Sequence, residues 1–186
     1  MNFRSVLELD ARLSEQMRVA EKPGALRTIA VFLAHSGDSW FWGAALLLGW
    51  LFSNPFWRKL EIVELVGISV LAVLVLSIKF SVRRKRPEGE WGGIYRSTDP
   101  HSFPSGHAAR SFLIAVIATA FTPTWLTVIL WIWAPLVALA RVAMGVHYVS
   151  DVVAGAFVGI VFALIFLQVH EVLFAWAVNL LGFPMW

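Results

Sequence analysis

Residues 111–140 contain no charged side chain, and this run constrains the fold more than any other feature of the chain. It is long enough to lie in a membrane. The composition agrees, with 59% hydrophobic residues and a mean hydropathy of +0.72 over 186 residues. A soluble domain of this size could not bury so much apolar surface. The chain is therefore predicted to be an integral membrane protein.

The apolar segments predict an all-α fold, a polytopic transmembrane helical bundle. Pro123 lies near the middle of residues 111–140 and favours a hairpin of two short helices over one kinked helix. An apolar segment also follows Glu171 near the C-terminus. The bundle has five predicted spans, or six if the short segment 25–34 crosses the membrane. The five are residues 39–57, 60–79, 107–121, 125–142 and 148–168.

Residues 1–24 are predicted to form an amphipathic N-terminal segment, and residues 25–186 the transmembrane domain. Apolar side chains recur at helical spacing among the charged residues 2–20. This pattern predicts a helix that lies on the membrane surface or caps the bundle. The charged N-terminus predicts no cleavable signal peptide. The chain contains no cysteine, which excludes disulfides and thiolate metal ligands.

Three ionisable residues follow the uncharged run at fixed spacing, in the sequence RVAMGVHYVSD from 141 to 151. Ionisable groups at the end of a membrane helix are costly and indicate a functional site. A helix would place His147 and Asp151, four residues apart, on one face. The carboxylate could accept one ring N–H and leave the other nitrogen free as a base or nucleophile. A helix cap beside an incidental histidine would explain the same pattern.

Two cations end the second predicted span. Lys79 lies at its end, and Arg86 follows seven residues later, directly before Pro87. Proline disfavours helical geometry at the preceding residue, so the helix is expected to stop near Arg86. The two cations could bind phosphate, or they could only anchor the helix to lipid head groups.

Ser105, Gly106 and His107 begin the next predicted helix. Unsatisfied N–H groups and the helix dipole make such a position a seat for an anion. His107 would lie in the first turn, where it could donate a proton to a leaving group. Ser105 as a plain N-cap is the simpler interpretation.

The predicted path of the chain brings these residues to one face of the membrane. They are Lys79, Arg86, Ser105, His107, Arg141, His147 and Asp151. Three cations, a helix start, two histidines and a carboxylate suit phosphoryl transfer without a metal, which depends on positioning and charge stabilisation. No metal, other cofactor or nucleic-acid partner is expected.

These residues form three motifs that resemble the signature of the type 2 phosphatidic acid phosphatase superfamily, which includes membrane lipid phosphatases and vanadium haloperoxidases. The motifs are Lys-x6-Arg-Pro, Pro-Ser-Gly-His and Arg-x5-His-x3-Asp, within residues 79–151. The resemblance covers residues 60–168 and implies a metal-independent phosphatase. It implies His147 as nucleophile, Asp151 as its orienting carboxylate and His107 as general acid. The implied phosphate-binding residues are Lys79, Arg86, Ser105, Gly106 and Arg141. Ala140 departs from the family, which usually has serine there.

A narrower resemblance points to the polyisoprenoid-diphosphate phosphatase branch. It rests on residues 7–14 (LELDARLS), residues 35–38 (HSGD) and the FPSGHAAR context of the second motif. The expected substrate is therefore a polyisoprenyl diphosphate held in the bilayer. Arg110 lies three residues after His107 on nearly the same helical face and could contact a second phosphate. Otherwise it would extend to the membrane interface.

Other functions fit parts of the pattern. Phosphatidic acid or another glycerolipid phosphate could be the substrate. Paired histidines and an aspartate could bind zinc, although three nearby cations would repel it. An inactive scaffold or a transporter would be expected to lack a histidine or the aspartate, whereas a lipid phosphotransferase would keep them all.

Basic residues predict the orientation in the membrane. The opposite face carries only Arg58 and Lys59, and with five spans the basic residues of the N-terminal segment lie on the face of the site. The positive-inside rule then places the site on the cytosolic side. The other basic residues on the face of the site are Arg83, Arg84, Lys85 and Arg96.

Overall fold

A computed structural model of the protein describes residues 3–19, 22–89, 91 and 99–181. Arg96, which contributes to the predicted orientation, lies outside these residues. The described residues form seven helices, and the all-α prediction is confirmed. They are α1 (Phe3–Gln16), α2 (Ala25–Ser36), α3 (Ser39–Phe52), α4 (Pro55–Val82), α5 (Gly106–Phe121), α6 (Thr124–Ala143) and α7 (Val149–Leu181).

Three of the described helices are long and apolar enough to cross a membrane. They are α4, α6 and, over Val149–Trp176, α7. The helices α2, α3 and α5 are apolar but shorter. Helices α5 and α6 form the predicted hairpin, with Pro123 in the turn. The prediction of a bundle of membrane-spanning helices is therefore confirmed in its general form.

The first predicted span, residues 39–57, extends too far. Helix α3 ends at Phe52, and α4 begins at Pro55. The Asn54 side chain caps α4, since its Oδ1 accepts the N–H groups of Phe56 and Trp57 at 3.1 and 3.3 Å. Proline fits the first turn because its missing N–H would have no partner inside the helix.

The last helix is longer than predicted. The sequence analysis ends a span near Gln168 and begins a separate segment after Glu171, whereas α7 continues through both to Leu181. Glu171 pairs with Lys59 of α4, with Oε1 and Nζ 2.5 Å apart. The acidic residue is thus neutralised by a neighbouring helix, and neither Gly nor Pro interrupts α7 at this point.

Helix α5 is the centre of the bundle and packs most extensively against α7. Two glycines of α7 make the close approach feasible. An added Cβ at Gly155 would clash with the carbonyl oxygen of Ser105, and one at Gly159 would clash with that of Ala109. Small residues allow helix backbones to approach in this way. The packing places the start of α5 beside the start of α7.

Helix α1 covers Phe3–Gln16 within the predicted amphipathic segment, and polar side chains make its contact with the bundle. Asp10 and Ser14 are buried against the start of α7. Leu7 and Leu13 remain more than 40% exposed. The predicted position on the membrane surface stays a prediction.

Candidate active site

A cavity of about 190 Å³ lies between the C-terminal half of α4 and the N-terminal ends of α3 and α5. His147, from the segment between α6 and α7, also lines it. One wall is apolar and consists of α4 side chains, Ile68, Leu71, Ala72, Val75 and Leu76. The other wall is polar and contains Ser39, Lys79, Asp99, Gly106, His107, Arg110 and His147. Residues from all three motifs therefore lie around one partly apolar cavity.

His147 lies between α6 and α7, next to Asp151 in the first turn of α7. Both residues are almost completely buried. The distance from His147 Nδ1 to Asp151 Oδ2 is 3.6 Å, slightly too long for a hydrogen bond. The same Oδ2 accepts the backbone N–H of Tyr148 at 2.9 Å. The predicted pair is thus adjacent, and the carboxylate faces the imidazole.

Arg86 indicates which nitrogen of His147 carries the proton. Its NH1 lies 3.3 Å from Nε2. Guanidinium nitrogens only donate, so this contact requires Nε2 as the acceptor and assigns the proton to Nδ1, which lies 3.6 Å from Asp151. Burial and the positive charges of Arg86, Arg141 and Lys79 lower the pKa of His147 well below its usual value of 6.5. The ring is therefore neutral at neutral pH, with the Nε2 lone pair that a nucleophile requires.

Lys79 and Arg86 are joined by a carboxylate that the sequence analysis missed. Asp99 Oδ2 accepts from Lys79 Nζ at 2.7 Å and from Arg86 NH2 at 2.8 Å. Arg86 Nε also donates to the Asp99 carbonyl at 2.7 Å. The two predicted phosphate-binding cations thus converge on one oxygen atom. No motif marked Asp99.

His107 has an orienting carboxylate of its own, which the sequence analysis also missed. Its Nε2 lies 2.8 Å from Asp38 Oδ1, and Asp38 Oδ2 lies 3.0 Å from His35 Nδ1. Burial raises the pKa of Asp38, but hydrogen bonds and electrostatic attraction from His107 and His35 lower it well below its usual range. The ionised Asp38 therefore accepts the Nε2–H of His107 and leaves Nδ1 for other partners. The resemblance of residues 35–38 had marked this turn without giving it a role.

The predicted helix start at Ser105 and Gly106 lies at the cavity. The Ser105 hydroxyl accepts the N–H of Ala108 at 3.4 Å, and its own N–H donates to the Asp151 carbonyl at 2.9 Å. A Cβ added to Gly106 would meet only Val75, at 3.6 Å. Arg141 is fully buried in the last turn of α6, and its charge acts on both histidines.

Arg110 lines the cavity, but its guanidinium binds the turn between α2 and α3. Nε and NH2 donate to the Gly37 carbonyl, Nε at 2.8 Å, and NH1 donates to Ser39 Oγ at 2.5 Å. This turn carries Asp38. Arg110 therefore supports the residue that orients His107, and its contact with a second phosphate stays a prediction.

The charge around the cavity suits an anion. Lys79, Arg86 and Arg141 are buried and act electrostatically on His147, and Arg141 also acts on His107. Within the described residues, no group of three or more His, Asp or Glu side chains is arranged to hold a metal ion. The donors that converge here are the N–H groups of cations and a helix start, which bind phosphate well.

Comparison with known proteins identifies the family. The sequence matches the PAP2 superfamily over residues 58–175, which is more than half of the chain and includes all three motifs. The chain belongs to the PAP2 superfamily. The family predicted from the motifs is therefore confirmed.

Curated relatives are similar over most of their length. A probable lipid phosphate phosphatase beta from Arabidopsis thaliana is 32% identical and covers 91% of this chain and 93% of its own. A decaprenylphosphoryl-5-phosphoribose phosphatase from Mycobacterium tuberculosis is 33% identical, over 82% of this chain and 84% of its own. Both relatives are phosphatases by name, and the predicted class of enzyme is confirmed.

A solved structure has the same fold. It is a transmembrane PAP2-type phosphatidylglycerolphosphate phosphatase from Bacillus subtilis, with a TM-score of 0.72 and 23% identity. The match covers 90% of this chain and 87% of that one. The apolar helices of this chain thus form the transmembrane fold of the family, and the prediction of a membrane protein is confirmed.

Proposed function

We propose that the protein is an integral membrane lipid phosphatase that acts on a polyisoprenyl diphosphate. The observation that supports this proposal most is the cavity, because apolar α4 side chains line it together with His107, His147 and Lys79. The charged head group of such a lipid matches the polar wall of the cavity, and its apolar chain matches the wall of α4 side chains. The Mycobacterium tuberculosis relative supports a polyisoprenyl carrier, since its name gives a decaprenylphosphoryl substrate.

In the proposed reaction, the Nε2 lone pair of His147 attacks phosphorus. The N–P bond forms as the bond from phosphorus to the leaving oxygen breaks, and His107, which must first take up a proton on Nδ1, gives that proton to the leaving oxygen. His107 then takes a proton from water, whose oxygen attacks phosphorus and breaks the N–P bond. Inorganic phosphate leaves, and both histidines regain their starting protonation states.

The buried charges would stabilise both steps. Lys79, Arg86 and Arg141 would face the equatorial oxygens of the transferring group, with the N–H groups at Ser105 and Gly106. Asp151 would stabilise the proton on His147 Nδ1, and Asp38 would stabilise the positive charge of protonated His107. Each histidine would thus work with a carboxylate of its own.

The substrate is proposed to enter from the bilayer. The apolar cavity wall belongs to α4, one of the membrane-length helices. Glycerol phosphate should therefore have a much lower kcat/KM than a long-chain lipid phosphate. Equal values for the two compounds would contradict entry from the bilayer.

Phosphate release by the detergent-solubilised protein in the presence of a chelator tests the activity. Polyisoprenyl diphosphate and phosphatidic acid should be compared as substrates, because a glycerolipid phosphatase is the main alternative.

His147→Ala should abolish release. His170→Gln, which alters a buried histidine near the other end of α7, should retain it. Release that persists in His147→Ala would rule out the mechanism, and loss with chelator would indicate a metal. Transfer to an added alcohol in place of phosphate release would indicate a phosphotransferase.

Arg110 tests the part of the proposal that concerns the second phosphate. If Arg110 contacts it, Arg110→Ala lowers diphosphate turnover about tenfold or more, the value of a charge-assisted contact. Monophosphate turnover then barely changes. An equal loss with both substrates would assign Arg110 to the Gly37 turn alone.

We further propose five spans, α3 to α7, with the active site on the cytosolic face. Helix α2 has only 12 residues, and its Ala30 and Ala34 pack against Met144 and Val146 beside the site. This supports α2 as a helix that stays on the side of the active site. The basic residues of α1 and the segment after α4 then lie on the same side, which favours the cytosol.

A further inference from the structure

Helix α1 binds the start of α7 through two buried polar side chains. Asp10 Oδ1 accepts the backbone N–H of Ser150 at 2.9 Å, and Asp10 Oδ2 accepts its hydroxyl at 2.5 Å. Ser14 Oγ accepts the N–H of Val149 at 2.9 Å and donates to the Asp10 carbonyl at 2.6 Å. These contacts join residues more than 130 positions apart in the sequence.

The bonds cap α7 from another helix. The first N–H groups of a helix have no partner inside it, and carboxylate and hydroxyl oxygens are their usual acceptors. A negative charge at this end is also favoured by the helix dipole. Because Asp151 lies in the first turn of α7, the capping residues hold the turn that carries the carboxylate beside His147.

Arg84 connects the same two elements directly. Its NH2 donates to Asp10 Oδ2 at 2.7 Å, and its NH1 donates to Asp151 Oδ1 at 2.7 Å. The guanidinium also lies over the Tyr148 ring, 4.0 Å from the centroid. With Oδ1 bound to Arg84 and Oδ2 bound to the Tyr148 N–H, the orientation of the Asp151 carboxylate is fixed from both sides.

We infer that Asp10 is a positioning residue of the active site, which acts through Arg84 and Ser150 on Asp151 and so on His147. The N-terminal helix is then part of the catalytic scaffold. This inference rests on the proposed function, and it gives a role to the LELDARLS segment. Asp10 and Ser14 are the two residues of that segment that face α7.

Asp10→Asn tests the inference with little change in shape. The amide keeps an acceptor for Ser150 but loses the charge that pairs with Arg84. We expect kcat to fall about tenfold or more, the effect of a charge-assisted hydrogen bond. KM should stay within about twofold, because the bonds that Asp10 makes are to Ser150 and Arg84. Glu8→Gln, an exposed change on the same helix, should leave both constants unchanged.

A double-mutant cycle separates positioning from general destabilisation. In an Asp151→Asn background, Asp10→Asn should cause little further loss of kcat. An unchanged kcat in Asp10→Asn, or the same loss in both backgrounds, would overturn the inference. If Asp10→Asn does not fold, Arg84→Gln removes the link to Asp151 and keeps the α1 caps. That variant should show the same fall in kcat, and wild-type kcat there would also overturn the inference.

A measurement without turnover distinguishes this inference from the proposed function. The 15N shifts of the His147 ring report which nitrogen carries the proton, and they should change in Asp10→Asn but not in Glu8→Gln. If the wild-type protein releases no phosphate but the shifts change, the proposed function is wrong and the positioning is right. If phosphate is released and neither kcat nor the shifts change, the positioning is wrong.

Discussion

Asp99 occupies the donors that a substrate phosphate would need. Its Oδ2 receives hydrogen bonds from both Lys79 and Arg86, and its side chain is 38% exposed beside the cavity. An arriving phosphate carries the same sign of charge and seeks the same donors. The carboxylate must therefore release these donors or share them when substrate binds.

Asp99→Asn should strengthen the binding of inorganic phosphate. The substitution removes a negative charge near the bound anion and frees donor capacity on Lys79 and Arg86. If the binding free energy of phosphate becomes more favourable by about 1.4 kcal/mol, the inhibition constant falls tenfold. The inhibition constant of phosphate against lipid substrate measures this change. A higher constant would mean that Asp99 serves mainly to hold the two cations in place.

Asp38→Asn should lower kcat most for substrates with a poor leaving group. An amide cannot stabilise the positive charge of protonated His107, so protonation of the leaving oxygen becomes less effective. A nitrophenyl phosphate needs little protonation and should lose much less. Trp40→Phe is the matched control, since it removes another donor to Asp38, at 3.3 Å, and leaves His107 in place. Equal losses for both substrates would assign Asp38 to folding of the turn.

His147 should remain neutral well below pH 6.5. Burial and the charges of Arg86, Arg141 and Lys79 lower its pKa, so the ring gains its second proton only under more acidic conditions. Arg86→Gln removes one positive charge and should move the pKa back toward 6.5. Histidine-selective NMR, assigned with a His147→Gln sample, measures both values. Titration of wild-type His147 at or above pH 6.5 would contradict the lowered pKa and the neutral ring.

At the scale of helices, the contact between α5 and α7 positions the two histidines. Gly159→Ala places a methyl group against the Ala109 backbone, and Gly155→Ala places one against the Ser105 backbone. Overpacking of this kind costs about 1–3 kcal/mol. Both variants should lower thermal stability and kcat together. Gly43→Ala, where an added Cβ meets nothing within 4 Å, is the control. Unchanged stability in Gly159→Ala would contradict the close packing.

The helices were largely predictable, because a helix that crosses a membrane needs a long apolar segment with few charges. The uncharged run 111–140, with Pro123 near its middle, predicted the α5–α6 hairpin. The predicted ends of both helices lie within one residue of the observed ends. The errors occurred where a local pattern was ambiguous. The first predicted span included Asn54, whose side chain instead caps the start of α4. The last predicted span stopped before Glu171, but α7 continues past this residue, which pairs with Lys59 of α4.

The candidate site was predictable only in part, because some of its contacts join residues that are far apart in the sequence. The motif residues lie close together because a few short segments at helix ends carry them. Asp10, Asp38 and Asp99 act on partners contributed by other segments, and Asp10 and Ser150 are 140 positions apart. Isolated aspartates in polar segments carry no sequence signal for such contacts. The narrower family resemblance marked two of the three segments but could not assign their roles.

At the scale of the whole molecule, the candidate site lies at one end of the bundle, and the basic residues are distributed unevenly between the two ends. The segment after α4 and helix α1 meet at that end, where Arg18 binds both the Glu15 side chain and the Glu88 carbonyl. The start of α4, at the other end, carries Arg58 and Lys59, and Lys59 pairs with Glu171. The positive-inside rule counts basic residues near span ends, so the active-site end is expected in the cytosol.

Single-cysteine labelling measures this orientation cleanly, because the native chain has no cysteine. Glu88→Cys places a thiol at an exposed position on the face of the proposed active site, and Thr124→Cys places one at the exposed start of α6 on the opposite face. A membrane-impermeant maleimide added to intact cells should label Thr124→Cys at once and Glu88→Cys only after permeabilisation. The reverse pattern would place the active site outside the cytosol. In the five-span topology, one span, α5, separates the two positions. Labelling of both cysteines from the same side would therefore contradict that topology.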